Sequence, residues 1–111
     1  MPKISIIIPT INEANNLPLL LSDLSILKQE GEIIIVDSGS KDKTIDIGNI
    51  YGAKVYKSKE RSRGLQLDIG AQNSKGDWFI FFHADTRLTS DWLTKIKSVF
   101  NKNKNLIYFF K

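Results

Sequence analysis

Ile4-Ser5-Ile6-Ile7-Ile8-Pro9-Thr10-Ile11-Asn12-Glu13 opens the chain with an apolar run that halts at a proline and a polar cluster. Apolar residues in succession, rather than in alternation, fit a strand buried on both faces. Behind Asn12, Leu17, Leu20, Leu21 and Leu24 recur at helical spacing. Ile33 to Val36 and Trp78 to Phe82 repeat the strand theme, and Lys54 to Lys57 is a weaker strand. Helices are predicted between them: a short one with Ile45 and Ile50 ending near Gly52, and a second over Leu65 to Ser74. A third starts at Ser90-Asp91, with Ser90 as N-cap and Trp92, Leu93, Ile96, Val99 and Phe100 on its apolar side. Leu106 to Phe110 reads as a last strand. Alternating strands and helices predict an α/β domain with a mostly parallel sheet and helices on both faces. Ligands then belong at the carboxyl ends of the strands.

The chain has 111 residues, 41% of them apolar and 25% charged, which suits one globular domain with one modest core. Its net charge of +4 comes mostly from Lys, a weak attraction for anions. No basic run is interleaved with aromatics, so nucleic acid is not an expected partner. The absence of Cys rules out disulfides and thiolate metal sites and fits a reducing, cytoplasmic setting. Ile4 to Ile8 is too short for a signal core or a transmembrane segment. No Gly-x-Gly-x-x-Gly follows the first strand, and neither a Gly-Lys-Ser/Thr phosphate loop nor a Gly-x-Ser-x-Gly elbow occurs. Dinucleotide oxidoreductases, ATPases and serine hydrolases lose their support.

The polar residues gather where the strands end. Asp85 follows Trp78 to Phe82 and His83, which holds a carboxylate at the mouth of the sheet. A hard cation accepts such an oxygen and completes its shell with water and phosphate. His83 lies on the same side of the strand, and imidazole suits manganese better than magnesium. The structural alternatives are a turn or cap role for Asp85 and a hydrogen-bonded role for His83. Asp37-Ser38-Gly39-Ser40-Lys41-Asp42-Lys43-Thr44 is either a tight loop capped by Ser40 or Asp42, or a place where Asp37 accepts hydrogen bonds from a base or ribose. Arg61 and Arg63, near Lys57 and Lys59, form the best anion-binding segment, or else an ordinary basic loop.

Taken in order, Ile6 to Glu13, then Ile35-Val36-Asp37-Ser38-Gly39-Ser40 with Asp42 and Thr44, then Phe82-His83-Ala84-Asp85-Thr86, resemble the amino-terminal half of family 2 glycosyltransferases. The His-Ala-Asp form, with Arg61, Arg63, Gln66, Gly70 and Ala71, is most similar to a bacterial subgroup associated with arsenosugar biosynthesis. The resemblance implies a GT-A (Rossmann-like) fold that binds a nucleoside-diphosphate sugar and a divalent metal, Mg or Mn, and transfers the sugar with inversion. It places Pro9, Thr10, Asn12, Glu13, Asp37 and Ser38 at the nucleoside pocket. Arg61, Arg63 and Gln66 fall near the diphosphate or sugar, and His83 and Ala84 in the metal motif. Asp85 becomes the metal-binding carboxylate, with His83 in place of the first Asp of the usual Asp-x-Asp. Leu65 and Asp68 depart from the subgroup's Arg and Asn.

Residues 1–111 are therefore expected to be the donor-binding half of a truncated domain. The acceptor half, and the catalytic base, would lie beyond Lys111. Leu106 to Phe110 would then be covered by a continuation, a second chain or self-association. Two alternatives differ in class. A non-catalytic nucleotide-sugar-binding unit would be either a truncated fragment or a subunit needing a second chain, and a sugar nucleotidyltransferase would need a Gly-rich amino-terminal loop that is missing. Any membrane association, at the inner face, would come through an acceptor or partner.

Overall fold

The computed structural model describes residues 3–102 and 108–110. Strands β1 (Ile4–Thr10), β2 (Gly31–Asp37), β3 (Lys54–Lys57), β4 (Trp78–Phe82) and β5 (Tyr108–Phe110) make one sheet in the order β3-β2-β1-β4-β5. All four strand pairings are parallel. Helices α1 (Leu17–Asp23), α2 (Thr44–Ile50), α3 (Arg63–Gln72) and α4 (Trp92–Lys102) alternate with the strands, and a 3-10 stretch, Leu24–Glu30, follows α1. The expected α/β class and parallel sheet are what the structure shows.

β1 is central, which explains its unbroken apolarity. Ile4, Ile6 and Ile8 pack with Leu17, Leu20 and Leu24 and with Trp92 and Ile96 of α4 on one face. Ile7 faces the other way, where it joins Ile34, Val36 and Phe81 beneath Leu67 and Ile69 of α3. Ser5, in the middle of the run, is also fully buried; its hydroxyl donates to Glu32 at 2.7 Å and accepts the Gly76 N–H at 2.8 Å. A polar residue is tolerated there because both its roles are filled.

The chain first builds outward from β1 to β2 to β3, and then α3 carries it back to place β4 on the opposite side of β1. Such a reversal opens a crevice at the carboxyl ends of the two diverging strands. Their register shows it: β1 pairs with β4 only from Ile4↔Trp78 to Ile7↔Phe81, but with β2 as far as Thr10↔Asp37. Pro9, without an N–H, therefore stands where β1 needs no rung to β4.

Some local expectations are corrected. The short helix expected with Ile45 and Ile50 is α2, but Ile50 is 79% exposed, and Thr44 and Gly48 are its buried positions. A Cβ at Gly48 would come within 2.8 Å of Ile35 Cδ1, so close helix–sheet contact replaces an apolar side chain. The third helix begins at Arg63, earlier than Leu65, because Ser62 Oγ accepts the Leu65 N–H at 3.2 Å and caps it. α4 begins at Trp92, so Asp91 precedes it and Ser90 is not its cap. The expectations for the Phe100 side chain, and for Leu106 and Ile107, lie outside the described residues.

Gly70 marks the tightest approach of α3 to the sheet, since a Cβ there would lie 2.4 Å from Ile7 Cγ2. Gly70→Ala should destabilise the domain by roughly 1–3 kcal/mol in urea unfolding. Gly64→Ala, on the same helix with its nearest neighbour 3.9 Å away, should be neutral or stabilising by up to about 1 kcal/mol. Equal tolerance of the two substitutions would show that α3 does not pack as closely as described.

Candidate functional site

At the mouth of the β1–β4 crevice, Pro9, Thr10, Ile11, Glu13, Arg63, Gln66, His83 and Ala84 line a small pocket of about 80 Å³. Seven of these eight were singled out from the sequence. Ile11 was missed as a lining residue, and an apolar residue in a loop gives no chemical signal. Asn12, Asp37, Ser38, Arg61 and Asp85 are not among its lining residues; Asp37 and Ser38 are buried, and Asn12, Arg61 and Asp85 are exposed.

Asp37 organises the floor. The residue is fully buried, and its two oxygens accept from the Thr10 hydroxyl (2.7 Å), the Ser40 hydroxyl (2.5 Å), the Gly39 N–H (3.0 Å) and the Ser40 N–H (2.7 Å). The turn needs Gly39, whose φ is +105°. Burial, the largest single influence, pushes the carboxyl upward, but the hydrogen bonds from Ser40, Thr10 and Gly39 together hold it below its ordinary 3.8. Asp37 thus has its acceptor capacity committed within the protein.

The two loops are laced across the crevice's edge. Asn12 donates its N–H to Ser40 Oγ at 2.7 Å, and its side-chain oxygen accepts the Lys41 N–H at 2.8 Å. Glu13 N–H donates to Thr44 Oγ1 at 2.9 Å, and Ala14 N–H to Asp42 at 3.1 Å. Asp42 also accepts the Thr44 N–H at 2.9 Å, but the N-cap of α2 is Lys43, so neither Ser40 nor Asp42 is its cap. Asn12 takes a left-handed conformation, φ +52°, which Asn tolerates better than most residues.

α3 contributes two lining side chains. Gln66 is buried, and its Nε2 donates to the carbonyls of Val36 (2.8 Å) and Thr10 (3.2 Å), bridging the ends of β1 and β2. Arg63, one turn earlier, places Nη1 3.0 Å from His83 Nε2. A guanidinium only donates, so that ring nitrogen is the acceptor. The sequence reading made His83 a metal ligand; here its Nε2 is already engaged by Arg63.

Arg87, in the loop after Asp85, is anchored elsewhere. It donates through Nε (2.8 Å) and Nη2 (3.2 Å) to Asp23, which also accepts the Leu88 N–H at 3.0 Å. Trp92 Nε1 donates to the Asp23 carbonyl at 2.9 Å. The end of α1 therefore holds the segment that follows Asp85, a contact between residues 64 apart that no local pattern announces. Thr86 is buried beside it, and its hydroxyl finds no partner among the described residues.

A larger cavity, about 530 Å³, opens at the other end of the sheet, between the 3-10 stretch and Tyr51, Gly52 and Lys54. Glu32 and Lys54 pair there at 3.0 Å, and the walls are largely Leu21, Leu24, Leu27 and Ile33. Volume favours that cavity; the convergence of polar groups favours the smaller one. No group of three or more His, Cys, Asp or Glu able to hold a metal occurs among the described residues. No described helix is long and apolar enough to cross a membrane.

Comparison with known proteins adds a family. The family described as Glycosyl transferase family 2 matches residues 5–110. A PGL/p-HBAD biosynthesis glycosyltransferase of Mycobacterium bovis is 33% identical over 119 aligned positions, which cover 96% of this chain and 46% of that protein. The structure of S. aureus TarS 1-349 in complex with UDP superposes with a TM-score of 0.80 at 24% identity, over 90% of this chain and 32% of that one. M. tuberculosis glucosyl-3-phosphoglycerate synthase with Mn2+, UDP and glucosyl-3-phosphoglycerate gives 0.66 at 24% identity, over 78% and 36%. The chain spans less than half the length of each of these proteins.

Asp37→Asn preserves the shape of the floor but not its charge. Wild type should exceed it by roughly 1.5–3 kcal/mol near neutral pH, the range for hydrogen bonds to a charged group. A carboxyl lowered by folding stabilises fully above its unfolded value of 3.8 and ceases to as pH falls through the still lower folded value. The gap should therefore close in strongly acidic solution. Urea titrations across that range would contradict the assignment if the gap stayed constant.

Proposed function

The chain belongs to glycosyl transferase family 2, and on that premise we propose that it binds a nucleoside-diphosphate sugar and serves transfer of the sugar, with inversion, to an acceptor hydroxyl. The carrying observation is the single pocket in which Pro9, Thr10, Glu13, Arg63, Gln66, His83 and Ala84 meet at the strand reversal, with Asp85 exposed at its edge. Donor binding asks for a cation near a diphosphate, and Arg63 supplies one at the mouth. Arg61, exposed on the preceding loop, is a second.

Asp85 fits a divalent cation of a particular kind. An exposed carboxylate with no cage of His, Cys, Asp or Glu around it among the described residues suits Mg or Mn, which keep water and take phosphate oxygens. Bound there, the ion would offset the negative charge that develops on the departing diphosphate. Asp37 and Asn12 act in this reading through the loops they hold, and Ser38 through its 3.3 Å bond to the Thr10 carbonyl. His83-Ala84-Asp85 with Arg61, Arg63 and Gln66 supports the arsenosugar-type subgroup as the finer placement. In this reading the acceptor site and the base that deprotonates it are supplied from outside residues 1–111, and cytoplasmic action fits a chain without Cys.

Thermal unfolding tests the donor reading directly. UDP or GDP should raise the midpoint in a Mn-dependent manner, a ligand at 100 times its Kd adding about 2.7 kcal/mol. Asp85→Ala should lose the metal-dependent part and keep its own melting temperature. Absence of any stabilisation by either diphosphate at millimolar concentration would sink the proposal. Hydrolysis or transfer of a sugar nucleotide by this chain would separate an enzyme from a unit that binds without turnover.

A further inference from the structure

The side-chain amide of Gln66 carries information that the family resemblance does not. Its nitrogen faces two backbone carbonyls, Val36 at 2.8 Å and Thr10 at 3.2 Å. Carbonyls only accept, so the nitrogen must occupy that position and the orientation of the amide is fixed. An amide has two N–H bonds, and both are spent on the strand ends. Gln66 lines the pocket, and both of its side-chain hydrogen bonds among the described residues are made by Nε2, which leaves Oε1 as the group it can offer.

An oxygen with free lone pairs repels phosphate oxygens, which are themselves acceptors. It attracts N–H and O–H groups. In a nucleoside diphosphate those groups belong to the ring nitrogens or amines of the base and to the hydroxyls of the ribose. Arg63 stands three residues earlier on the same helix and presents only donors, with Nη1 at 3.0 Å from His83 Nε2. α3 thus brings donors and an acceptor to the same pocket from neighbouring positions on one face.

We infer that Gln66 reads the nucleoside through Oε1, accepting a hydrogen bond from a base N–H or a ribose hydroxyl, while the diphosphate lies toward Arg63. This rests on the donor-binding reading above and moves Gln66 away from the diphosphate or sugar, where the resemblance had placed it. Because turning the amide would break both strand contacts, the acceptor cannot swap ends to suit a different ligand. A site built to receive a hydrogen bond discriminates strongly against analogues that lack it.

The test compares UDP, or GDP if that is the diphosphate that stabilises the chain, with its 2′-deoxy, 3′-deoxy and base-N-methylated forms, by calorimetry in the presence of Mn2+. In the wild-type chain, at least one analogue should bind tenfold or more weakly. In Gln66→Lys, which keeps donors for the carbonyls, removes the acceptor and adds a positive charge, that penalty should shrink to about twofold. Inorganic pyrophosphate should bind Gln66→Lys at least as tightly as wild type, since the added cation attracts it, whereas Arg63→Ala should weaken it. Equal binding of all analogues by wild type, a penalty that survives in Gln66→Lys, or a matching loss of pyrophosphate affinity there would each overturn the inference while leaving the donor reading intact. A wild-type chain that binds neither diphosphate overturns both.

Discussion

A buried carboxylate with four donors around it holds the functional end of this domain together. Asp37 joins the last residue of β1 to the loop after β2, since Thr10 and Ser40 both donate to it. Ser40 then receives Asn12, and the neighbouring Asp42 and Thr44 receive Ala14 and Glu13. Each link satisfies a backbone N–H that would otherwise lie unpaired between two strand ends. A charged group is suited to the position because only an ionised carboxylate offers acceptor sites for so many donors at once. The walls of the pocket, Pro9 to Glu13, owe their arrangement to this floor.

Much of the fold was legible because the apolar runs are the signature of strands buried on both faces. Ile4 to Ile8, Ile33 to Val36 and Trp78 to Phe82 became β1, β2 and β4 with little change. The helices were less legible where backbone proximity replaces side chains. Gly48 and Gly70 are inward positions with nothing apolar to display, so no periodic pattern marks which face of α2 meets the sheet. The start of α3 depended on a serine hydroxyl, Ser62, in a segment that otherwise reads as a basic loop.

The site was legible as a set of strand ends but not as a set of contacts. Which carbonyl Gln66 reaches, and that Arg63 meets His83, depends on segments brought together across the sheet. Asp23 and Arg87 show the same limit, since neither belongs to a recognisable motif, yet they anchor the segment after Asp85. Residue chemistry at the strand ends narrowed the function; only the fold could say that Asp37 is turned inward and Gln66 is half committed.

The two walls of the crevice also differ in when the chain can provide them. β1 pairs with β2 across 27 positions of sequence at Ile4↔Gly31, but with β4 across 74 at Ile4↔Trp78. Closing the longer connection costs more chain entropy and must await the arrival of the distant partner. A chain in which β1, β2 and β3 have come together already holds the laced loops and the Asp37 floor. It has no pocket, because Arg63, Gln66, His83 and Ala84 all arrive with the return crossover. The pocket is thus a property of the completed sheet, its floor tied to β1 and β2 and its far side supplied by the return crossover.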